Sequence, residues 1–246
     1  VFRGWEVIMA IRSGAVRLVM VAALAAAGCG VYDGNGERAT QTRPLQGFTA
    51  VAADGSLDVE IQRGDAFDVT VSIDSNLLNH VRTDLTDGGA TLSIDLDGHV
   101  WDILPGPHVI VTMPVLQRGA LNGSGSMTAS GFAQADPVTL ELDGSGLLTY
   151  DGQVPSAQVR SWGSGDMRLH GTTGSLDARL DGSGDVDARD FPSATAVLAL
   201  SGSGNLSANV STSAQVTLSG SGNVNLYGGA AIQHASISGS GSLTQH

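Results

Sequence analysis

The triplet Gly-Ser-Gly occurs seven times in this chain of 246 residues, opening at Gly123, Gly144, Gly163, Gly182, Gly202, Gly220 and Gly239. A period that holds so nearly constant at about twenty marks one supersecondary unit stacked on copies of itself, and it restricts the fold more than any other feature of the sequence.

Aligned on the triplet, the side chains fall into columns. Two residues before the first glycine stand Leu121, Leu142, Ser161, Leu180, Leu200, Leu218 and Ile237, and four after it stand Met127, Leu148, Met167, Val186, Leu206, Val224 and Leu243. Apolar and polar residues alternate on both sides, the period of a strand with one buried face. Both glycines share the inward parity, so the chain can bend there without placing a side chain in the core. The serine between them points outward.

A β-helix with equal positions stacked in register and an antiparallel meander with the triplet as a hairpin turn both carry this pattern. The charges favour stacking. Glu141, Arg160 and Arg179 succeed one another at one position of consecutive repeats, and Arg168 is followed by Asp187 at another. The predicted fold is all-β, a β-solenoid (parallel β-helix) of about seven coils of ~19 residues. The stretch 45–118 lacks the triplet but alternates like strands, as in Leu57, Val59 and Ile61 and in Leu92, Ile94 and Leu96, and is expected to cap the repeats of 119–246. The chain stops soon after the seventh triplet, so the C-terminal coil is expected to offer an edge for self-association.

The N-terminal stretch predicts export. From Met9, a plausible start, Arg12 and Arg17 precede the apolar run Leu18 to Ala27, which is too short to cross a ~30 Å hydrocarbon core. Ala26-Ala27-Gly28-Cys29 resembles a bacterial lipobox, with Ala in place of the usual first Leu, so residues 1–29 read as a signal peptide with Cys29 as the lipid attachment site. The other reading of this single cysteine is a free thiol. Gly30 in place of Asp resembles lipoproteins released to the outer membrane. Residues 30–44 are polar and aperiodic and are expected to form a flexible tether. The expected location is the bacterial envelope, in the outer membrane, periplasm or cell surface, with the membrane engaged through the N-terminal lipid.

After Cys29 there are nine arginines and no lysine against 23 acidic residues, an excess of 14 negative charges. Such a surface repels phosphate backbones, so nucleic acid is not an expected partner. From Phe191 to His246 there is no Asp, Glu, Lys or Arg.

The candidate sites are few. Trp162 replaces the small polar residue before the triplet, between Asp143 and Asp181 of neighbouring coils. A tryptophan so placed can stack on a sugar face while the acids accept hydroxyl hydrogens, or it can fold over the adjacent coil. Asp166 and Asp185, with Asn205 next in the column, are oxygen ligands that a calcium ion can use, or a solvated acidic strip. No other cofactor is expected. The triplet serines lack a Gly-x-Ser-x-Gly setting, and the six histidines show no metal spacing. These patterns do not predict an enzyme.

The order of elements, an anchored signal, a β-rich segment with DSNLLNHVRTDL and GGATLSIDL, the strand VIVTMPVLQRGALNGSGSM, then Gly-Ser-Gly coils, resembles the auto-transporter adhesin, head GIN domain family over residues 45–246. The resemblance implies a β-solenoid in a bacterial envelope protein and brings no catalytic residues. The expected function is non-enzymatic display of a solenoid for adhesion, binding or scaffolding, with a glycan or an envelope protein as partner. Envelope-stress sensing and a glycan-binding or glycan-active β-helix are the alternatives.

Overall fold

The computed structural model describes residues 31–101 and 106–246; residues 1–29, expected as a signal peptide ending at Cys29, lie outside them. The chain is built of strands in the order β1 (Val31–Asp33), β2 (Arg38–Arg43), β3 (Ala50–Gly55), β4 (Asp58–Arg63), β5 (Asp68–Asp74), β6 (Val81–Thr86), β7 (Thr91–Leu96), β8 (His99–Trp101) and β9 (His108–Met113). The triplet region continues with β10 (Arg118–Gly123), β11 (Ser126–Ala133), β12 (Val138–Gly144), β13 (Leu147–Gly163), β14 (Asp166–Gly182), β15 (Asp185–Gly202) and β16 (Asn205–Gly220). It ends with β17 (Asn223–Tyr227), β18 (Ala231–Gly239) and β19 (Ser242–Gln245).

The triplet region is a parallel β-solenoid. Gly123, Gly144, Gly163, Gly182, Gly202, Gly220 and Gly239 lie side by side in register, each on the strand of the next coil. Leu142 faces Leu121 and Ser161 of adjacent coils, which excludes the hairpin meander. In β13 to β16 the limb leaving one triplet and the limb approaching the next run together as one bent strand of 16 to 18 residues. The inward columns form the core: Leu142, Leu180, Met167 and Leu206 are all fully buried.

The corners explain the glycines more sharply than a bend alone. The first glycine of each triplet takes φ between +109° and +158°, a region that side chains disfavour. The second glycine lies directly on the corner of the coil before it. A Cβ on Gly184 would stand 1.9 Å from the carbonyl oxygen of Gly165, inside any allowed contact. Coils can stack at strand spacing here only without side chains.

The segment expected as a cap also contributes to the stack. β3 pairs in parallel with β10, with Gly55 opposite Gly123, and β4 pairs in parallel with β11. Gly55-Ser56-Leu57 is therefore a further corner, remote from Gly123 along the chain but adjacent to it in space. On its other side β7 pairs with β3 and β9 with β4, again in parallel. That coil has no tight corner, since β7 stops at Leu96 and β9 resumes at His108. A Cβ on Gly55 would meet only Leu96 Cβ at 3.8 Å. The constraint that removes Cβ from later corners is relaxed, and Leu57 fits fully buried where the others have glycine.

Antiparallel strands then close this end. β6 pairs with β7, β5 with β9, and β2 with β5, all antiparallel. A 3-10 turn, Ser75–His80, joins β5 to β6 and sends Leu77, 1% exposed, into the core.

Residues 30–44, expected as a flexible tether, instead carry β1 and β2. β2 is fixed by its ladder to β5 and by Arg43, whose Nη2 donates to the Leu78 carbonyl at 3.0 Å. The Gly36 N–H donates to the Asp74 carboxylate at 2.8 Å. The side chains of β2 are mostly exposed, so its backbone pairing leaves no apolar period in the sequence.

Candidate functional site

Two outward columns carry the residues singled out in the sequence. The first precedes the triplets and runs Asp54, Asn122, Asp143, Trp162, Asp181, Ser201, Ser219, Ser238 along one side of the solenoid. Parallel register thus brings Asp143, Trp162 and Asp181 onto adjacent strands, at the ~4.8 Å spacing of a sheet. Trp162 is 39% exposed, the one tryptophan or tyrosine in a row of small polar side chains. The carboxylate of Asp181 accepts from Arg179 Nε at 2.5 Å, and that pairing raises the Arg179 pKa. In the row beside it, Arg160 grips Asp177 through both terminal nitrogens at 3.1 and 2.9 Å.

The second column comes after the triplets and contains Asp166, Asp185, Asn205, Asn223 and Ser242. Stacked carboxylates would repel, but each is bonded to the coil after it. The Asp185 N–H donates to Asp166 Oδ1 at 3.0 Å, and Asn205 donates its backbone N–H and Nδ2 to Asp185 Oδ1, both at 2.9 Å. Asn223 Nδ2 donates to Asn205 Oδ1 at 3.0 Å and Ser242 Oγ to Asn223 Oδ1 at 2.7 Å. The residues considered as calcium ligands are therefore rungs of a continuous hydrogen-bonded ladder. Among the described residues, no group of three or more His, Cys, Asp or Glu is arranged to hold a metal ion, and no cofactor is indicated.

Beside the ladder runs a polar groove of about 500 Å³, lined by Asp166, Arg168, Asp185, Asp187, Arg189 and Tyr227 among others. Arg168 and Asp187 occupy matching positions on neighbouring strands, as the repeat predicts, and so do Glu141 and Arg160. The ion pairs, however, are made elsewhere. Asp187 accepts from Arg189, two residues along its own strand, at 2.9 and 2.5 Å. That pairing holds the Asp187 carboxyl below its ordinary range and raises the Arg189 guanidinium. Glu141 pairs with Arg118. At the end of the groove Tyr227 and His246 stack, ring centroids 4.5 Å apart and 9° from parallel. Sequence reasoning missed this pair, though its separation by one full repeat was the available signal.

The described residues form a parallel β-solenoid with polar flanks, and no helix among them is long and apolar enough to cross a membrane. The chain belongs to the family described as "Putative auto-transporter adhesin, head GIN domain", whose model matches residues 47–230. No protein of curated function matches the sequence. Among solved structures, one named a "putative adhesin" from Bacteroides fragilis has a TM-score of 0.78 at 18% identity, covering 87% of this chain and 100% of its own. One named a "putative lipid binding protein" from Parabacteroides distasonis has a TM-score of 0.71 at 24% identity, covering 88% and 100%. A third, a "putative adhesin" from Parabacteroides merdae, has a TM-score of 0.67 at 18% identity, covering 88% and 99%. At these identities the likeness establishes the fold.

Proposed function

We propose that this protein is a non-enzymatic envelope lipoprotein, anchored through Cys29, that displays its solenoid for adhesive binding. The family and the adhesin names of two similar structures support an adhesive role at an envelope or surface location. The observation that carries the reading is Trp162, exposed on a flat flank between Asp143 and Asp181. An indole face flanked by carboxylates suits the apolar face and hydroxyl rim of a sugar, so the ligand class is a glycan. The Parabacteroides distasonis structure's name points instead to lipid, which a glycan-headed lipid would reconcile.

Two measurements test this. Cys29→Ser should remove the fatty acid and release the protein from the detergent phase; unchanged partitioning would refute the anchor. Trp162→Ala should abolish binding on an array of bacterial envelope glycans while leaving the circular dichroism spectrum unchanged. Equal binding by both proteins, or none by the parent, would refute the glycan site.

A further inference from the structure

A second groove lies on the limb that approaches the triplets, on the face that carries Trp162. Parallel register sets Gln158, Asp177, Val197 and Gln215 side by side on β13 to β16. Two residues earlier on the same strands, Ser156, Ser175, Thr195 and Ser213 form a row of hydroxyls. Both rows share the outward parity of Trp162, because side chains an even number of residues apart on a strand face the same way. Together they line a groove of about 420 Å³, with Leu176 and Ala196 of the core beneath.

The groove is uncharged in its chemistry. Asp177 is the one ionisable residue of its lining, and Arg160 closes that carboxylate with N–H donors on both oxygens, at 3.1 and 2.9 Å. Among the described residues the side chains of Gln158, Gln215 and the hydroxyl row make no hydrogen bond. Their amides and hydroxyls are open both to donate and to accept. Val197, in the middle of its row, adds an apolar surface that is 49% exposed. The groove beside Asp187 is of the opposite kind, lined by Asp166, Arg168, Asp185 and Arg189 as well.

We propose that this groove is a subsite for an uncharged glycan, and that one polymer chain occupies it and Trp162 together. The proposal deepens the reading of Trp162 as a glycan contact and rests on that reading only for the joint occupancy. Three observations select the ligand. An apolar patch ringed by groups that donate and accept suits a sugar ring, with its C–H face and hydroxyl rim. An anionic polymer would find no free cation, since the lining has none and the neighbouring Arg160 and Arg179 are engaged by Asp177 and Asp181. An extended peptide would need an open strand edge, and β14 and β15 are paired on both sides here. Gln158 stands four residues before Trp162 on β13, about 13 Å along the strand, and the groove crosses four coils, about 14 Å. A disaccharide reaches one of these contacts, and a longer chain spans both.

Binding isotherms of the intact protein, in detergent, on bead-coupled polysaccharides test this. Glucans, mannans and galactans are the neutral probes and polygalacturonate is the acidic one. The protein should bind at least one neutral polymer and not polygalacturonate. Val197→Arg fills the groove, and Gln158→Ala combined with Gln215→Ala strips its amides. Each should weaken binding of that polymer about tenfold, as losing one of two linked contacts does. All three positions are exposed, so the thermal unfolding midpoint should not move. Should Val197→Arg move it, the double glutamine variant carries the test. Binding lost in Trp162→Ala but kept in both groove variants would overturn the groove and leave the Trp162 reading standing. The reverse pattern would support the groove and refute the Trp162 contact. Binding to polygalacturonate, or to no neutral polymer, would overturn the proposal.

Discussion

At the N-terminal end the last parallel coil, β7 with β9, is bordered by antiparallel strands, and Leu77 enters the core at 1% exposure. At the C-terminal end, Ile237 continues the column of Leu200 and Leu218 yet is 49% exposed. The difference lies in the strands that border each final coil. A repeat unit buries its inward face only between neighbours, so closing a stack takes sequence that departs from the repeat. Here that sequence is β2, β5, the 3-10 turn and β6, and its antiparallel strands cover the edges of β7 and β9. Among the described residues β18 and β19 keep the parallel register of the repeat and pair with β16 and β17 alone.

The largest effect expected from this contrast is in side-chain truncation. Leu77→Ala at the closed end should cost about 2–5 kcal/mol, the usual loss for a buried leucine. Ile237→Ala on β18 should cost less than about 1 kcal/mol, because half of that side chain is already in water. Urea titrations of the two variants against the parent measure both. Equal losses would mean that Ile237 is covered in solution.

Between the ends, Tyr150 reports on the closed interior. It is fully buried against Phe191, ring centroids 6.0 Å apart, and its hydroxyl has no hydrogen-bond partner among the described residues. Burial first, and the charge of Asp151 second, push the phenol from 10.0 up to about 12. The unfolded chain then loses this proton before the folded one does. The neutral phenol favours neither state below about pH 10, and stability falls as pH rises from there toward about 12, by about 2–3 kcal/mol in all. Tyr150→Phe should remove that alkaline slope and leave stability at neutral pH equal or higher. An unchanged slope would show that the phenol reaches water.

How far the sequence reveals these features depends on which forces leave a trace in it. The triplets and the alternation of Leu142, Leu148 and their equivalents gave coil, register and interior, because stacking places one demand on every repeat. The corner at Gly55 was hidden because Leu57 breaks the triplet and β4 to β9 intervene before Gly123. β2 was hidden because a strand held by backbone pairing, with its side chains in water, needs no apolar period. At the candidate sites the columns were legible but the contacts were not. Residues two apart on a strand lie about 7 Å apart and residues on adjacent coils about 5 Å, so an arginine reaches either. Asp187 takes Arg189 although Arg168 stands at the matching position of the neighbouring coil. The Asp166–Asp185 stack gave no hint of its backbone donors, because an N–H is present at every position and only the corner geometry aims it.

The smallest effect belongs to the serine of a mid-stack corner, where neither end has influence. Ser203 is exposed between Gly202 and Gly204, and its backbone N–H donates to the Gly182 carbonyl at 2.9 Å. That bond holds the corner and survives replacement of the side chain. Ser203→Ala should therefore stay within about ±0.5 kcal/mol of the parent. Leu206, three residues on, is fully buried and faces Val186 and Val224 on the coils either side. Leu206→Ala should cost about 2–5 kcal/mol. The pair separates two accounts of the repeat. If the serine column stabilised the stack through its hydroxyls, as Ser56 and Ser124 do across one step at 2.9 Å, Ser203→Ala would approach the cost of Leu206→Ala. If glycine geometry and the inward columns carry the repeat, the serine is replaceable in stability, and its recurrence reflects only the room at the corner. Denaturant midpoints for the two variants decide between them, and a loss above about 1 kcal/mol for Ser203→Ala would favour the hydroxyl ladder.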